Sequence, residues 1–315
     1  MKKFLLTAFL AVSAMAAFAE TYTLNIGIND YPTVKMDDGT EVDNDLNGCV
    51  NDAKAMQEVC VGKYGVKASN TRLLLDKQAS GDNFLGGIKW LFSSAKAGDQ
   101  VVITFSGHGA QLEDPKAADG SGFTEVIVLA DDTLVQDTFF SEVANLLRVN
   151  GINATFIFDS CFSGGMNRAP GKFMVKTKGI GKIKAKGKMK ANTDALAKSL
   201  MTLKPRQAAG GTKLGDTVFL FASDKDKTST DISGLEGIPA HGIFTLLLLD
   251  ALNMDKNSSI IDIFSGIDAS LKEINEALMK QGKEADMKES DIPQFNQHPN
   301  FVGTAARAGK PILLP

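Results

Sequence analysis

The chain has 315 residues, of which 43% are hydrophobic and 23% charged, and a net charge of −3. That balance excludes a disordered polyelectrolyte and shows no bias toward nucleic acid, and the length suffices to bury one large core or two modest ones. Three cysteines is an odd count, so at least one is a free thiol or pairs with another chain.

Lys2 and Lys3 precede an apolar run from Phe4 to about Val12, and Ala17-Phe18-Ala19 supplies a small-residue cleavage site. This pattern predicts a secretory signal peptide over residues 1–19, and hence an exported protein, periplasmic or secreted. The run falls short of the roughly 20 apolar residues of a membrane span, so no span is expected.

Continuous apolar runs follow in "YTLNIGI" (22–28), "TRLLL" (71–75), "VVITFSG" (101–107), "ATFIFDS" (154–160) and "TVFLFAS" (217–223). Runs of this length mark strands covered on both faces, as in parallel sheets. Helical patterns alternate with them: "CVNDAKAMQEVC" after the first and "NFLGGIKWLFSSAK" after the second. "FFSEVANLLRV" stands before the fourth run, and "HGIFTLLLLDAL" and "IIDIFSGIDASLKEINEALMK" follow the fifth. The alternation predicts one open α/β sheet with helices on both faces. A helix from Cys49 to Cys60 separates those cysteines by about 16 Å. A disulfide needs Cα atoms within about 7 Å, so all three cysteines are expected as thiols, Cys60 in core packing.

One stretch breaks the pattern. From Ser160 through Thr193 there is no acidic residue, yet Arg168 and eight lysines occur, every second position in "KIKAKGKMK" (182–190) being lysine. Its glycines and small residues leave little to form a core, which predicts a mobile, exposed segment. Such a segment serves either as a solvated linker or as a patch for an anionic surface.

Open α/β sheets place their sites beyond the carboxyl ends of the strands. "VVITF" runs into Ser106-Gly107-His108-Gly109, and "TFIF" runs into Asp159-Ser160-Cys161. If the two strands are neighbours, His108 and Cys161 face each other at the rim. An imidazole beside a thiol makes it a nucleophile, and the flanking glycines allow sharp turns and bring amide N–H groups toward a substrate carbonyl. The plainer alternative is a structural cysteine and a strand-capping histidine; the matched, glycine-flanked positions favour the pair. A tyrosine-phosphatase loop needs five residues between cysteine and arginine, whereas Cys161 and Arg168 have six. HExxH, GxxxxGK[ST] and G-x-S-x-G are absent, and the three histidines are far apart in sequence.

"FSGHG" followed some fifty residues later by "DSCFSG" resembles the caspase-like cysteine peptidases, in particular bacterial metacaspase-type members. "IGINDYP" with "LNGCVNDAKAM" is similar to the family's first strand and helix, "FLFASDKDKTSTD" with "HGIFTLLLLDAL" to its small-subunit region, and "DIPQFNQHPNF" to its C-terminal end. The resemblance implies a mostly parallel six-stranded sheet. It implies a large-subunit-like region over 20–170, a lysine-rich flexible linker over 171–212 and a small-subunit-like region over 213–315 of the same domain. It further implies Cys161 as nucleophile, His108 as general base and acid, and an oxyanion hole from the amides of Gly109 and Cys161. Cleavage after arginine or lysine is implied through a pocket of Cys49, Asp52, Ser106 and Asp159. Strand residues two apart point to one side, which agrees with Ser106 beside His108 and Asp159 beside Cys161. Paired carboxylates would hold a cationic side chain by charge-assisted hydrogen bonds.

Three departures stand out. Phe162 follows the nucleophile where metacaspases usually have histidine. Thr124, Asp137 with Thr138, and Arg168 stand where calcium-dependent members carry aspartates, which predicts calcium independence unless Glu125, Asp131 and Asp132 rebuild a site. The third is the lysine-rich insert, which offers the enzyme its own lysines and suggests self-processing between Lys172 and Lys190. No cofactor is implied, and the expected partners of this monomer are peptides and proteins. The rival reading is a non-catalytic caspase-like module that binds partners or anionic surfaces. His241, a weak rival for the base, is expected to open a helix.

Overall fold

The five apolar runs become strands of one sheet, and the reason they read as continuous is visible in where their side chains go. The computed structural model describes residues 19–35, 41–117, 120–161, 174–203, 213–224, 227–233, 237 and 239–314. Residues 1–18 of the expected leader, Phe162, Gly164, Gly165, Arg168 and Lys172 lie outside them. In chain order the elements begin with β1 (Thr21–Gly27), β2 (Val34–Lys35), β3 (Glu41–Val42), α1 (Cys49–Gly62), β4 (Thr71–Leu75), α2 (Gly81–Ser94) and β5 (Gln100–Ser106). Then come β6 (Gly109–Glu113), β7 (Phe123–Val128), β8 (Leu134–Gln136), α3 (Asp137–Val149) and β9 (Asn153–Asp159). Next are β10 (Met174–Thr177), β11 (Gly179–Ile183), α4 (Gly187–Leu200), β12 (Thr217–Phe221), β13 (Thr230–Ser233) and β14 (His241–Gly242). The chain closes with α5 (Ile243–Met254), α6 (Ile260–Glu284), β15 (Asn300–Gly303) and α7 (Ala305–Ala308).

The main sheet has six strands in the order β15-β12-β9-β5-β1-β4. All neighbours run parallel except β12 and β15. The central strands β5, β9 and β12 each feed two cores. Phe156 and Phe158 of β9 join Ile103 and Phe105 of β5 with Phe84 and Ile88 of α2 on one face. Ile157 joins Val102, Val218 and Leu220 with Phe244 of α5 and Phe264 of α6 on the other. Because both faces are covered by helices, polar alternation disappears from the sequence. The expected mostly parallel six-stranded sheet is thus the observed architecture. Cys49, Cys60 and Cys161 are buried thiols outside any disulfide, Cys60 within the second core. Among the described residues, no helix is long and apolar enough to cross a membrane.

The lysine-rich stretch departs from expectation. Its described part, 174–203, is not an exposed linker but carries β10, β11 and α4. Thr193, Leu196 and Leu200 recur at helical spacing and bury one face of α4. Ile180, Ile183 and Met189 pack against the same core as Leu196 and Leu200. The acid-free window ends at Thr193, just before the two leucines that supply the missing core. Three further sheets have no clear signal in the sequence: β11-β6-β7-β8, β10-β13-β14 and the short pair β2-β3. Their strands are mostly too short to show a period, and β11 is bent by a register shift around Gly181, whose φ of 75° suits glycine.

Candidate active site

β5 and β9 are neighbours in register, Ser106 opposite Asp159. The residues two positions further, His108 and Cys161, therefore leave the sheet at the same rim. Their neighbouring amides converge on one atom. The N–H groups of Gly109 and Cys161 both donate to the carbonyl oxygen of Lys178, at 2.9 and 3.2 Å. The Lys178 N–H donates to the Ser229 carbonyl at 3.0 Å. The main chain at Lys178 is thus clamped on both polar atoms, with its carbonyl between two converging donors.

His108 is fixed from three directions. Its Nε2 lies 2.6 Å from the carbonyl oxygen of Asn44, which can only accept, so the proton belongs on Nε2. The Tyr31 ring lies 4.6 Å from the imidazole, centroid to centroid. The Tyr31 hydroxyl accepts the His108 N–H at 2.8 Å and donates to the Val128 carbonyl. Nδ1 is buried without a hydrogen-bond partner and, with the proton on Nε2, is the ring nitrogen able to accept one. Burial pushes the imidazole down to about 4, against the opposing pull of the Asn44 and Lys178 backbones. Burial likewise pushes the Cys161 thiol up to about 12. With the cleft filled, burial thus favours the neutral form of both groups, a thiol and an imidazole.

The side chain of Lys178 is fully buried. Its ammonium has three donors and meets three acceptors: Asp52 Oδ2 at 3.0 Å, Asp159 Oδ2 at 3.0 Å and Ser106 Oγ at 2.9 Å. Each acid is held in turn. Asp52, in the first turn of α1, accepts from Ser106 Oγ at 2.6 Å and from the Gly242 N–H, with His241 Nδ1 at 2.8 Å. Asp159 accepts from Ser229 Oγ at 2.5 Å and Thr245 Oγ1 at 2.7 Å. Burial alone would raise the Asp52 carboxyl, but Lys178, His241 and Ser106 outweigh it and hold it low. Burial would likewise depress the ammonium, yet Asp159 and Asp52 hold it well above the ordinary lysine range. Cys49, also fully buried, begins α1 beside these groups.

All the residues singled out in the sequence, Cys161, His108, Gly109, Asp52, Asp159, Ser106 and Cys49, therefore meet around Lys178. His241 lies in β14, directly before α5, and holds Asp52. Gly107 and Gly109 do not adopt the positive φ that sharp turns would require. Gly107 is needed for space instead, since a Cβ there would lie 2.5 Å from Tyr31 Oη. Gly242 has a similar role at the pocket, where a Cβ would come within 2.1 Å of both Asp159 Oδ2 and Lys178 Nζ. Asp231 of β13 accepts the Asn47 and Gly48 N–H groups at the start of α1. Among the described residues no three His, Cys, Asp or Glu side chains converge as a metal site would need; Thr124 instead donates to Asp114.

Comparison with known proteins agrees with this arrangement. The caspase domain matches residues 21–305. The chain is 26% identical to metacaspase-1A of Neurospora crassa over 71% of its own length and 56% of that protein's. It is 36% identical to metacaspase-4 of Arabidopsis thaliana over 45% of its length and 33% of that protein's. It therefore spans about half the length, or less, of these curated relatives. A crystal structure of a Geobacter sulfurreducens protein shares the fold, with a TM-score of 0.56 and 17% identity over 93% of this chain and 97% of that one. Fold, rim and matched residues together lead to one conclusion: the chain belongs to the caspase domain family, and within it resembles the metacaspases.

Proposed function

We propose that this protein is a cysteine endopeptidase that cuts after lysine or arginine, and that its own Lys178–Gly179 bond is its first substrate. One observation carries the reading. Lys178 fills the acidic pocket with its side chain while its carbonyl oxygen lies between two amide donors, which is the pose of a residue about to be cut. His108 Nδ1 takes the Cys161 proton as the sulfur attacks the Lys178 carbonyl carbon. The oxygen becomes an oxyanion held by the Gly109 and Cys161 N–H groups. The C–N bond breaks, His108 returns the proton to the Gly179 nitrogen, and water then hydrolyses the thioester. An arginine guanidinium would find the same carboxylates, Asp52 and Asp159.

Until Lys178 leaves, the pocket is closed to other substrates, so the uncut chain is a self-inhibited precursor. The lysine-rich segment thereby narrows to a single cutting site. The rival binding module is less well supported, because the central lysine of its docking segment is buried. Export and calcium independence belong to the same reading, on the leader-like residues 1–19 and on Thr124 and Thr138.

Mass spectrometry of purified protein tests it. Wild type should split between Lys178 and Gly179, and Cys161→Ala should remain whole. The cut enzyme should hydrolyse peptides with lysine or arginine before the bond, not aspartate, at a rate a chelator leaves unchanged. Near-normal turnover by Cys161→Ala, or a preference for aspartate, sinks the proposal.

A further inference from the structure

The two products of a cut at Lys178–Gly179 are held unequally. Before the bond, β10 pairs over four residues with β13, Lys176 Nζ donates to the Asp45 carbonyl and the Lys178 N–H to that of Ser229, and the Lys178 side chain fills a pocket that any substrate lysine would share. After the bond, β11 lies parallel on β6, with Gly179 opposite Gly109, Lys182 opposite Gln111 and Ile183 opposite Leu112. Lys184 pairs with Glu113 at 2.7 Å. Leu196 and Leu200 of α4 are buried in the main core, and Thr193 Oγ1 accepts the Leu134 N–H at 3.1 Å. The Gly179 pairing is closed by the Gly109 N–H on the Lys178 carbonyl, which departs with the other product; the remaining contacts do not involve Lys178, so cutting the bond leaves them in place. A conventional leaving group diffuses away; this one is anchored by a strand and a buried helix.

We propose that the cut protein is a peptide ligase as well as a hydrolase, the new α-amine of Gly179 accepting acyl groups from Cys161. This rests on the peptidase reading above. When Lys178 withdraws, a substrate lysine enters the pocket and Cys161 forms a thioester with its carbonyl carbon, expelling the substrate's own leaving group. The neutral Gly179 amine then attacks that carbon, and the oxyanion again faces the Gly109 and Cys161 N–H groups. The C–S bond breaks, the thiolate departs, and the ammonium proton passes to His108 and on to the sulfur. Thiol and imidazole are restored, one amide is formed, and no oxidant, reductant or other co-reactant is needed. A nucleophile tethered at the reacting carbon has a large advantage over a freely diffusing one. Water remains the competitor, and its share sets the ratio of ligation to hydrolysis. Because an α-amine titrates near 8, that ratio should rise about tenfold from pH 7 to pH 9.

The probe is an acetylated peptide methyl ester with the sequence of residues 174–178, whose small leaving group does not compete with β11. It is added to the self-cleaved wild-type protein, and digestion with mass spectrometry locates the acyl group. The expected result is the acyl peptide on the Gly179 α-nitrogen, with more transfer than hydrolysis at pH 8 and a lower ratio in Ile183→Asp, which would loosen β11. Ester consumed to the free acid, with Gly179 left unmodified, overturns the ligase while leaving the peptidase standing. An unchanged ratio in Ile183→Asp overturns the role given to β11. No consumption of the ester at all overturns the peptidase reading and the ligase with it.

Discussion

The residues before the Lys178–Gly179 bond and those after it are both strands laid along one cleft, yet different forces hold them. Both strands pair through the main chain, but before the bond the β10–β13 pairing is joined by one ammonium that meets Asp52, Asp159 and Ser106 in full burial. After it, main-chain pairing with β6 and the apolar side chains Ile180, Ile183 and Met189 do the holding. Charge in a buried pocket discriminates sharply, since a wrong side chain leaves carboxylates desolvated and unpaired. Strand pairing reads the backbone and tolerates many side chains. Selectivity should therefore reside on the lysine side, and retention on the glycine side.

The strongest way to break that contrast is to remove the charge. In a Cys161→Ala background, in which the proposed cut should not occur, Lys178→Met should destabilise the chain by about 4 kcal/mol in urea denaturation, because both carboxylates lose their cation. A loss below about 1 kcal/mol would mean that charge does not hold this side. Next in size is Asp159→Asn in the cut enzyme, where kcat/KM for lysine and arginine peptides should fall about a hundred- to a thousandfold. Gly242→Ala should act in the same direction by filling the space at the ammonium, and equal loss on peptides lacking a basic residue would argue against the pocket. The smallest effect is pH dependence. His108 is held neutral in the fold, so stability is full above about pH 6.5 and falls by about 3 kcal/mol as pH drops toward 4, while the unfolded chain binds the proton first. Asp231, whose carboxyl burial raises, opposes this trend. The comparison of Cys161→Ala with Cys161→Ala/His108→Asn isolates the histidine, and the double variant should show a flatter profile.

Much of this was legible. Both-face burial wrote the sheet into apolar runs, and the matched ends of β5 and β9 announced His108 and Cys161. Asp52, Asp159, Ser106 and Cys49 came only with the family resemblance. Other parts have no sequence signal of their own. Asn44 orients His108 through its main-chain carbonyl, which any residue carries. Tyr31 stands within "IGINDYP", but its hydroxyl finds the His108 amide only after a long chain excursion. Lys178 misled for a physical reason: lysine is almost never buried unless paired, and its partners lie on α1, β5 and β9, far away in sequence. Composition correctly marks such a stretch as polar, but it cannot register one buried ion pair.

The buried ammonium also has a consequence for the order in which the chain is made. Synthesis delivers N-terminal regions first, so Lys178 leaves the ribosome well before Ser229, His241, Gly242 and Thr245. Those later residues complete the pocket: they hold Asp52 and Asp159 in place, and the Ser229 carbonyl accepts the Lys178 N–H. The plug is therefore present before its socket can close. At no stage of a nascent chain's growth is there a finished, empty pocket that could act on a neighbouring chain.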